Sequence, residues 1–416
     1  MTGADSLVHT LVACGVDVCF TNPGTSEMHF VAALDRVAGM RSILALFEGV
    51  ATGAADGYGR MAGRPAATLL HLGPGLSNGL ANLHNARRAA TPLVNIVGDH
   101  ATYHAQYDAP LASDIAGLAR PVSGWVHSST SAKLVAADGA RAVQAARQAP
   151  GQIATLILRA NTAWEEAVGP AAPLPVLGPA PVASSTIDAA ARLLRSGKRS
   201  AILIRGAALQ SNGLDAAGRV AETSGARLLC DTFAPRIARG AGTVAVERIP
   251  YFAEQIVEFL RDLELLLLVG AKPPVSFFAY PGKPSWCLPE KCGVHYLAQP
   301  HEDGVSALLA LAEALGAAGE PSRRVALERP GLPSGKLDPN SAGGMAGGKE
   351  RRACAGVSSA RRRGSQAGKT LEEQRAVSSG RIEAAKNETG RLCPPRCEVV
   401  AERSETGQAS EKDRVF

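Results

Sequence analysis

Short aliphatic runs separated by stretches of helical periodicity recur along most of the chain, and this alternation limits the fold more than any other feature. Residues 16–20, 43–47, 66–72 and 93–97 are apolar-rich runs, each short enough for one strand. Between them, 26–37, 50–62 and 76–89 carry apolar or small residues at helical spacing. Leu7, Leu11 and Val12 mark one face of an amphipathic first helix. Ser26 is placed to cap the helix that carries Phe30, Leu34 and Val37. The run 43–47 is apolar throughout and predicts a buried strand. Strands alternating with helices imply a parallel sheet covered on both faces.

Residues 170–185 interrupt this pattern with five prolines in sixteen positions, the mark of a semi-rigid extended linker. The alternation then resumes. Strands are predicted at 200–204, 227–230, 263–269 and 294–298, and helices at 187–194, 214–223, 251–261 and 305–315. The expected architecture is α/β, with two doubly wound parallel-sheet domains at 1–169 and 186–318, followed by a disordered tail at 319–416.

Charge divides the chain at the same place. The formal net charge is +6, but residues 321–416 hold 19 Lys and Arg against 12 Asp and Glu. The preceding 320 residues are therefore close to neutral. Those last 96 residues contain only 13 Val, Leu, Ile and Phe, too few to offset the entropy of ordering. The arginines at 351–352 and 361–363 suggest nucleic-acid binding. No aromatic residue interleaves with them, so a solvated basic tail is the preferred reading and no nucleic-acid partner is expected. The periodicity ends abruptly after Leu315, which motivates an out-of-frame or mis-spliced tail; translating the other two frames of the coding DNA tests it.

No apolar run approaches the roughly 20 residues of a membrane span, so no membrane partner is expected. The N-terminus has Asp5 and no basic flank, unlike a signal or transit peptide. Eight scattered cysteines form neither a disulfide framework nor paired CxxC motifs, which fits a reducing cytoplasm. Cys393 and Cys397 alone do not make a zinc site.

Four segments carry candidate chemistry. The turn Asn22-Pro23-Gly24-Thr25-Ser26-Glu27 follows the first strand; it reads as an ordinary βα turn or as a ligand loop at a strand's carboxyl end. Glu48 ends an aliphatic run, either as a helix N-terminal residue favoured by the dipole or as a functional carboxylate. The helix after it is small on every face, suiting close approach to another helix or subunit. His71-Leu72-Gly73-Pro74-Gly75 is a glycine-rich strand-to-helix turn without the lysine of a phosphate loop. His71 reads as structural or as an acid/base group. His100, His104 and Asp108 match no metal spacing and read as solvated loop residues; no metal ligand is expected.

Taken in order, the NPGTSE turn, Glu48 before GVATGAADGYGR, the stretch LHLGPGLSNGLANLHNA and Thr91-Pro92-Leu93-Val94 resemble the pyrimidine-binding domain of thiamine-diphosphate-dependent enzymes. The second α/β region is similar to the family's central domain, with Gly270-Ala271-Lys272-Pro273-Pro274 after a strand. The nearest resemblance is to acetolactate synthase large subunits; the NPG turn and His71 also resemble benzoylformate decarboxylase. The resemblance covers residues 1–317 and implies thiamine diphosphate with magnesium as cofactor. It implies that Glu48 hydrogen-bonds the pyrimidine ring and favours its imino tautomer, and that His71 transfers protons. Pro23, Thr25, Gly73, Pro74 and Asn78 match positions lining the pyrimidine and substrate side. No match to flavin contacts is found, so FAD is not expected. The family's Gly-Asp-Gly with a later Asn, which holds magnesium and diphosphate, is not found in this sequence.

The resemblance implies decarboxylation and carboligation of pyruvate-like 2-oxo acids by a homodimer or tetramer, or with a partner supplying the diphosphate-binding domain. The alternative is a catalytically inactive, truncated or regulatory paralogue acting through dimerisation.

Overall fold

The computed structural model describes residues 1–327. The expected tail, its arginine runs and Cys393 and Cys397 lie outside the described residues, apart from 319–327.

Chain order in the first domain is α1 (Gly3–Ala13), β1 (Val18–Asn22), α2 (Met28–Arg36), β2 (Arg41–Leu44), α3 (Glu48–Ala62), β3 (Ala66–Leu70), α4 (Leu72–Ala89) and β4 (Leu93–Asp99). It continues through α5 (Ile115–Ala119), β5 (Trp125–Ser128), α6 (Val135–Arg147), β6 (Ile153–Arg159) and α7 (Ala160–Trp164). The six strands form one sheet in the order β2-β1-β3-β4-β6-β5, every pair parallel. Successive side chains of a strand point to opposite faces, and here each face has its own core. Val94 and Ile96 of β4 pack with Leu7, Leu11 and Phe30 of α1 and α2. Leu93 and Val97 pack on the other side with Leu76 and Leu83 of α4.

The second domain contains α8 (Ser184–Leu194), β7 (Ser200–Ile204), α9 (Ser211–Ser224), β8 (Arg227–Cys230), β9 (Glu247–Arg248), α10 (Ala253–Leu260), β10 (Leu265–Val269), β11 (Gly293–Ala298) and α11 (Gly304–Leu315). Its sheet is also wholly parallel, in the order β11-β10-β7-β8-β9. Ile202 and Ile204 face one core, Ala201 and Leu203 the other. Both domains are therefore doubly wound.

Several local expectations are corrected. The run 43–47 does not form a buried strand. β2 is the edge of its sheet, with Leu44 69% and Leu46 93% exposed, because among the described residues no further strand or helix covers that edge. Ser26 does not cap α2; the chain enters it through a 3-10 turn, Thr25–Glu27, and Glu27 accepts the Gly24 N–H at 2.8 Å instead. Strands β5, β6 and β9 were not apparent from periodicity. β6 is buried on both faces and so does not alternate, while β9 is only two residues long. Helix α8 begins at Ser184, inside the proline-rich segment.

A polar ladder crosses the middle of the first sheet. Thr68 Oγ1 donates to Asn95 Oδ1 at 2.7 Å, and Asn95 Nδ2 donates to Thr155 Oγ1 at 3.0 Å, all three residues being buried. Replacing Asn95 by alanine leaves both threonines without these partners and is expected to cost about 1–3 kcal/mol in denaturant unfolding. An unchanged midpoint would show that the ladder adds no stability.

Candidate functional site

Pro23, Thr25, Glu48, His71, Gly73, Pro74 and Asn78 stand at the carboxyl ends of β1, β2 and β3 or in the helices that follow them. Open parallel sheets bind ligands at this edge, next to the point where strand order reverses. Here β1 lies between β2 and β3, so the chain runs outward in both directions from β1.

Two polar pairs form there. Glu48 is the first residue of α3, where the helix dipole favours a carboxylate. Its Oε2 accepts from Asn78 Nδ2 of α4 at 3.0 Å. A Cβ built on Gly75 would sit 3.5 Å from Glu48 Oε1, an ordinary van der Waals distance, so the two lie side by side without strain. Helices α3 and α4 approach closely because their facing residues are small. Thr52 Oγ1 donates to the Gly79 carbonyl at 3.1 Å and Asn82 Nδ2 to the Gly49 carbonyl at 2.7 Å. The small-residue helix foreseen from sequence thus packs inside the domain, while its Val50 and Met61 remain exposed.

His71 occupies the bend between β3 and α4. Leu72, the next residue, has φ +46°, a left-handed conformation that is costly for a leucine and lets strand turn to helix within two residues. His71 Nδ1 lies 2.7 Å from Glu27 Oε2. Gly24 makes the approach possible, since a Cβ there would sit 2.3 Å from Nδ1. Among the described residues Nε2 has no hydrogen-bond partner.

Glu27 is the functional candidate that the sequence reading missed. Its only signal was the position three residues after a turn glycine, a helix-capping pattern with an ordinary structural meaning. In the fold its side chain is fully buried, and among the described residues Oε1 has no hydrogen-bond partner. Burial pushes its carboxyl above the usual range, partly opposed by the Gly24 N–H and His71. A carboxyl held toward its protonated form and bonded to an imidazole is suited to proton transfer.

The pH dependence of stability follows from this shift. Between the ordinary glutamate value and the raised one, the folded chain binds more protons than the unfolded chain. Stability contributed by Glu27 is therefore complete at low pH and falls as pH rises through that window. Unfolding of Glu27→Gln, followed from pH 4 to 8 in parallel with the parent, is expected to lack this part of the slope. Identical slopes would contradict the raised carboxyl.

The remaining predicted residues are less connected. Pro74 and Asn78 are exposed, and Gly73 is buried against Ser113. Thr25 does not join the Glu27–His71 pair; it lines a separate cleft with Ser26, His100, Tyr103, His104 and Trp164. The His100 and His104 rings meet edge to face at 5.2 Å. Among the described residues, no three His, Cys, Asp or Glu side chains are grouped to hold a metal ion. Nor is any helix there long and apolar enough to cross a membrane.

Residues 1–118 match the family described as thiamine pyrophosphate enzyme, N-terminal TPP binding domain. The chain is 55% identical over 344 residues to the IlvX protein of Mycobacterium tuberculosis, which carries an acetolactate synthase large-subunit name; this covers 82% of the chain and 65% of the relative. Two solved structures share the fold. The thiamine diphosphate-dependent 4-hydroxybenzoylformate decarboxylase of Rhodococcus jostii has a TM-score of 0.64 at 21% identity, covering 81% of this chain and 65% of that one. The benzoylformate decarboxylase of Polynucleobacter necessarius has a TM-score of 0.66 at 19% identity, covering 82% and 66%. The chain thus spans about two thirds of the length of the proteins it matches. Over residues 1–118 it is similar to the N-terminal domain of thiamine pyrophosphate enzymes, and over most of its length to a protein named as an acetolactate synthase large subunit.

Proposed function

We propose that this chain forms the pyrimidine side of a thiamine-diphosphate-dependent site that decarboxylates or ligates 2-oxo acids. The observation that carries the reading is the Glu48–Asn78 pair, on the same sheet edge as Glu27–His71, in a domain that matches the family. These residues fit the ring half of the cofactor. Asn78 bonds Oε2, and among the described residues Glu48 Oε1 has no hydrogen-bond partner, leaving it to hold a proton at a pyrimidine nitrogen. Magnesium and diphosphate would be held by a partner that supplies the diphosphate-binding domain.

When bound, the cofactor supplies a carbon nucleophile and an electron sink for loss of carbon dioxide from a 2-oxo acid. The protein's part is orientation and proton traffic. Asn78 fixes the Glu48 carboxylate, and Glu27 orients His71 through Nδ1. His71 Nε2 remains the nitrogen able to give or take a proton at the reacting carbonyl oxygen. Titration calorimetry of the full chain with thiamine diphosphate and magnesium tests the reading, followed by carbon dioxide release from pyruvate and benzoylformate. Saturable binding and turnover support it; a chain that binds no cofactor overturns it as an autonomous enzyme.

The second reading, a non-catalytic dimerising paralogue, is favoured by one observation. Leu44, Leu46, Phe47, Val50 and Met61 are all at least half exposed along β2 and α3. An unpaired strand edge next to apolar side chains is suited to a second copy of this chain. Light scattering is expected to give a dimer mass that Leu46→Asp reduces to a monomer; a monomeric parent would sink the dimer.

A further inference from the structure

We propose that Arg205 and Arg236, from the second domain, are positioning residues that hold the two helices of the candidate site from their far ends. Each helix leaves its last carbonyls without intrahelical partners. In α3 the carbonyls of Arg60 and Met61 accept from Arg236 Nη1, at 3.1 and 3.2 Å. In α4 the carbonyl of Arg88 accepts from Arg205 Nη2 at 2.7 Å. A guanidinium at a helix C-terminus also meets the negative end of the helix dipole.

Both arginines are themselves anchored. Arg205 directly follows β7, its backbone N–H donates to the Val269 carbonyl at 3.0 Å, and its other Nη is paired with Asp231. The Arg236 carbonyl accepts from Gln210 Nε2 at 3.2 Å, and two residues on, Ala238 N–H donates to the Leu209 carbonyl at 3.0 Å. The second domain therefore presents two anchored cations, one just after β7 and one in the segment between β8 and β9, to two helix ends.

The consequence reaches the opposite ends. Helix α3 has 15 residues and α4 has 18, so they carry a constraint over about 22 and 27 Å. Glu48 opens α3, and His71 immediately precedes α4. The two helices are bound side by side through Thr52, Gly79 and Asn82, so Glu48 and Asn78 move together. Their shared face is built of small residues and offers few large side chains to resist sliding. Clamping the C-terminal ends supplies that resistance.

This inference rests on the pyrimidine reading for its purpose but not for its test. Arg205→Met and Arg236→Met keep the apolar stem and remove the donors; Arg→Lys at each position keeps the charge. Three readouts are taken on the full chain: amide exchange at 60–63 and 88–91, the His71 ring nitrogen resonances, and calorimetric affinity for a hydroxymethylated aminopyrimidine, the cofactor ring alone. The Met variants are expected to exchange about tenfold faster at the matching helix end, shift the His71 resonances and bind the ring about tenfold more weakly. The Lys variants should restore most of each effect. Unchanged exchange and His71 resonances overturn the proposal, as does unchanged affinity in variants whose exchange has risen. If the parent does not bind the ring while exchange and His71 still respond, the pyrimidine reading fails and the positioning role stands.

Discussion

Replacing Glu48 by glutamine is expected to lower 2-oxo acid turnover by about 10²–10⁴-fold, the range for a lost acid/base group. The reason is specific to this site. Glutamine keeps the size of the side chain and can still accept from Asn78, so the α3–α4 pair should remain as it is. It cannot take or give a proton at the free oxygen. The variant should therefore fold as the parent does, with an unchanged circular dichroism spectrum and a loss of no more than about 1 kcal/mol from the missing charge at the start of α3. Turnover within threefold of the parent would remove Glu48 from the proton traffic. A large loss of stability would instead assign it a structural role at the start of α3.

The second large effect is expected from Gly98→Ala. This glycine lies in β4 and carries no chemistry, yet a Cβ there would sit 1.6 Å from Glu27 Oε1. Glu27 is buried and cannot simply swing into solvent. The methyl group must push the carboxylate away from the Gly24 N–H and from His71. Misplacing a catalytic group by about 1 Å costs roughly 10²-fold, and a loss of that order in turnover is expected. The His71 ring nitrogen resonances should shift in the same variant, measured without substrate. Unmoved His71 resonances together with full turnover would show that Glu27 does not orient the imidazole.

Much of the architecture was legible because a doubly covered parallel sheet repeats its signal. Ser200–Ile204 and Arg227–Cys230 each carry an aliphatic run after one polar residue, and they are strands with those limits. The run 43–47 looked the same and is not buried, because apolar composition records what a segment prefers and not whether a neighbour covers it. Strand β9 exists only because β8 provides a partner.

The site divides along the same line. Residue type and order alone determined that an acidic residue opens a glycine-rich helix and that a histidine precedes a second one, and these patterns carried the resemblance to thiamine-diphosphate enzymes. Tertiary structure decided which of those residues act on one another. Glu27 and His71 are 44 positions apart, and the 2.7 Å between them depends on β1 and β3 being neighbours. Arg236 and Arg60 are 176 apart and meet only where the second domain touches the first. Local sequence sets propensity and burial pattern over a few turns. Contacts at such separations are set by strand order and domain docking, which no window along the chain contains.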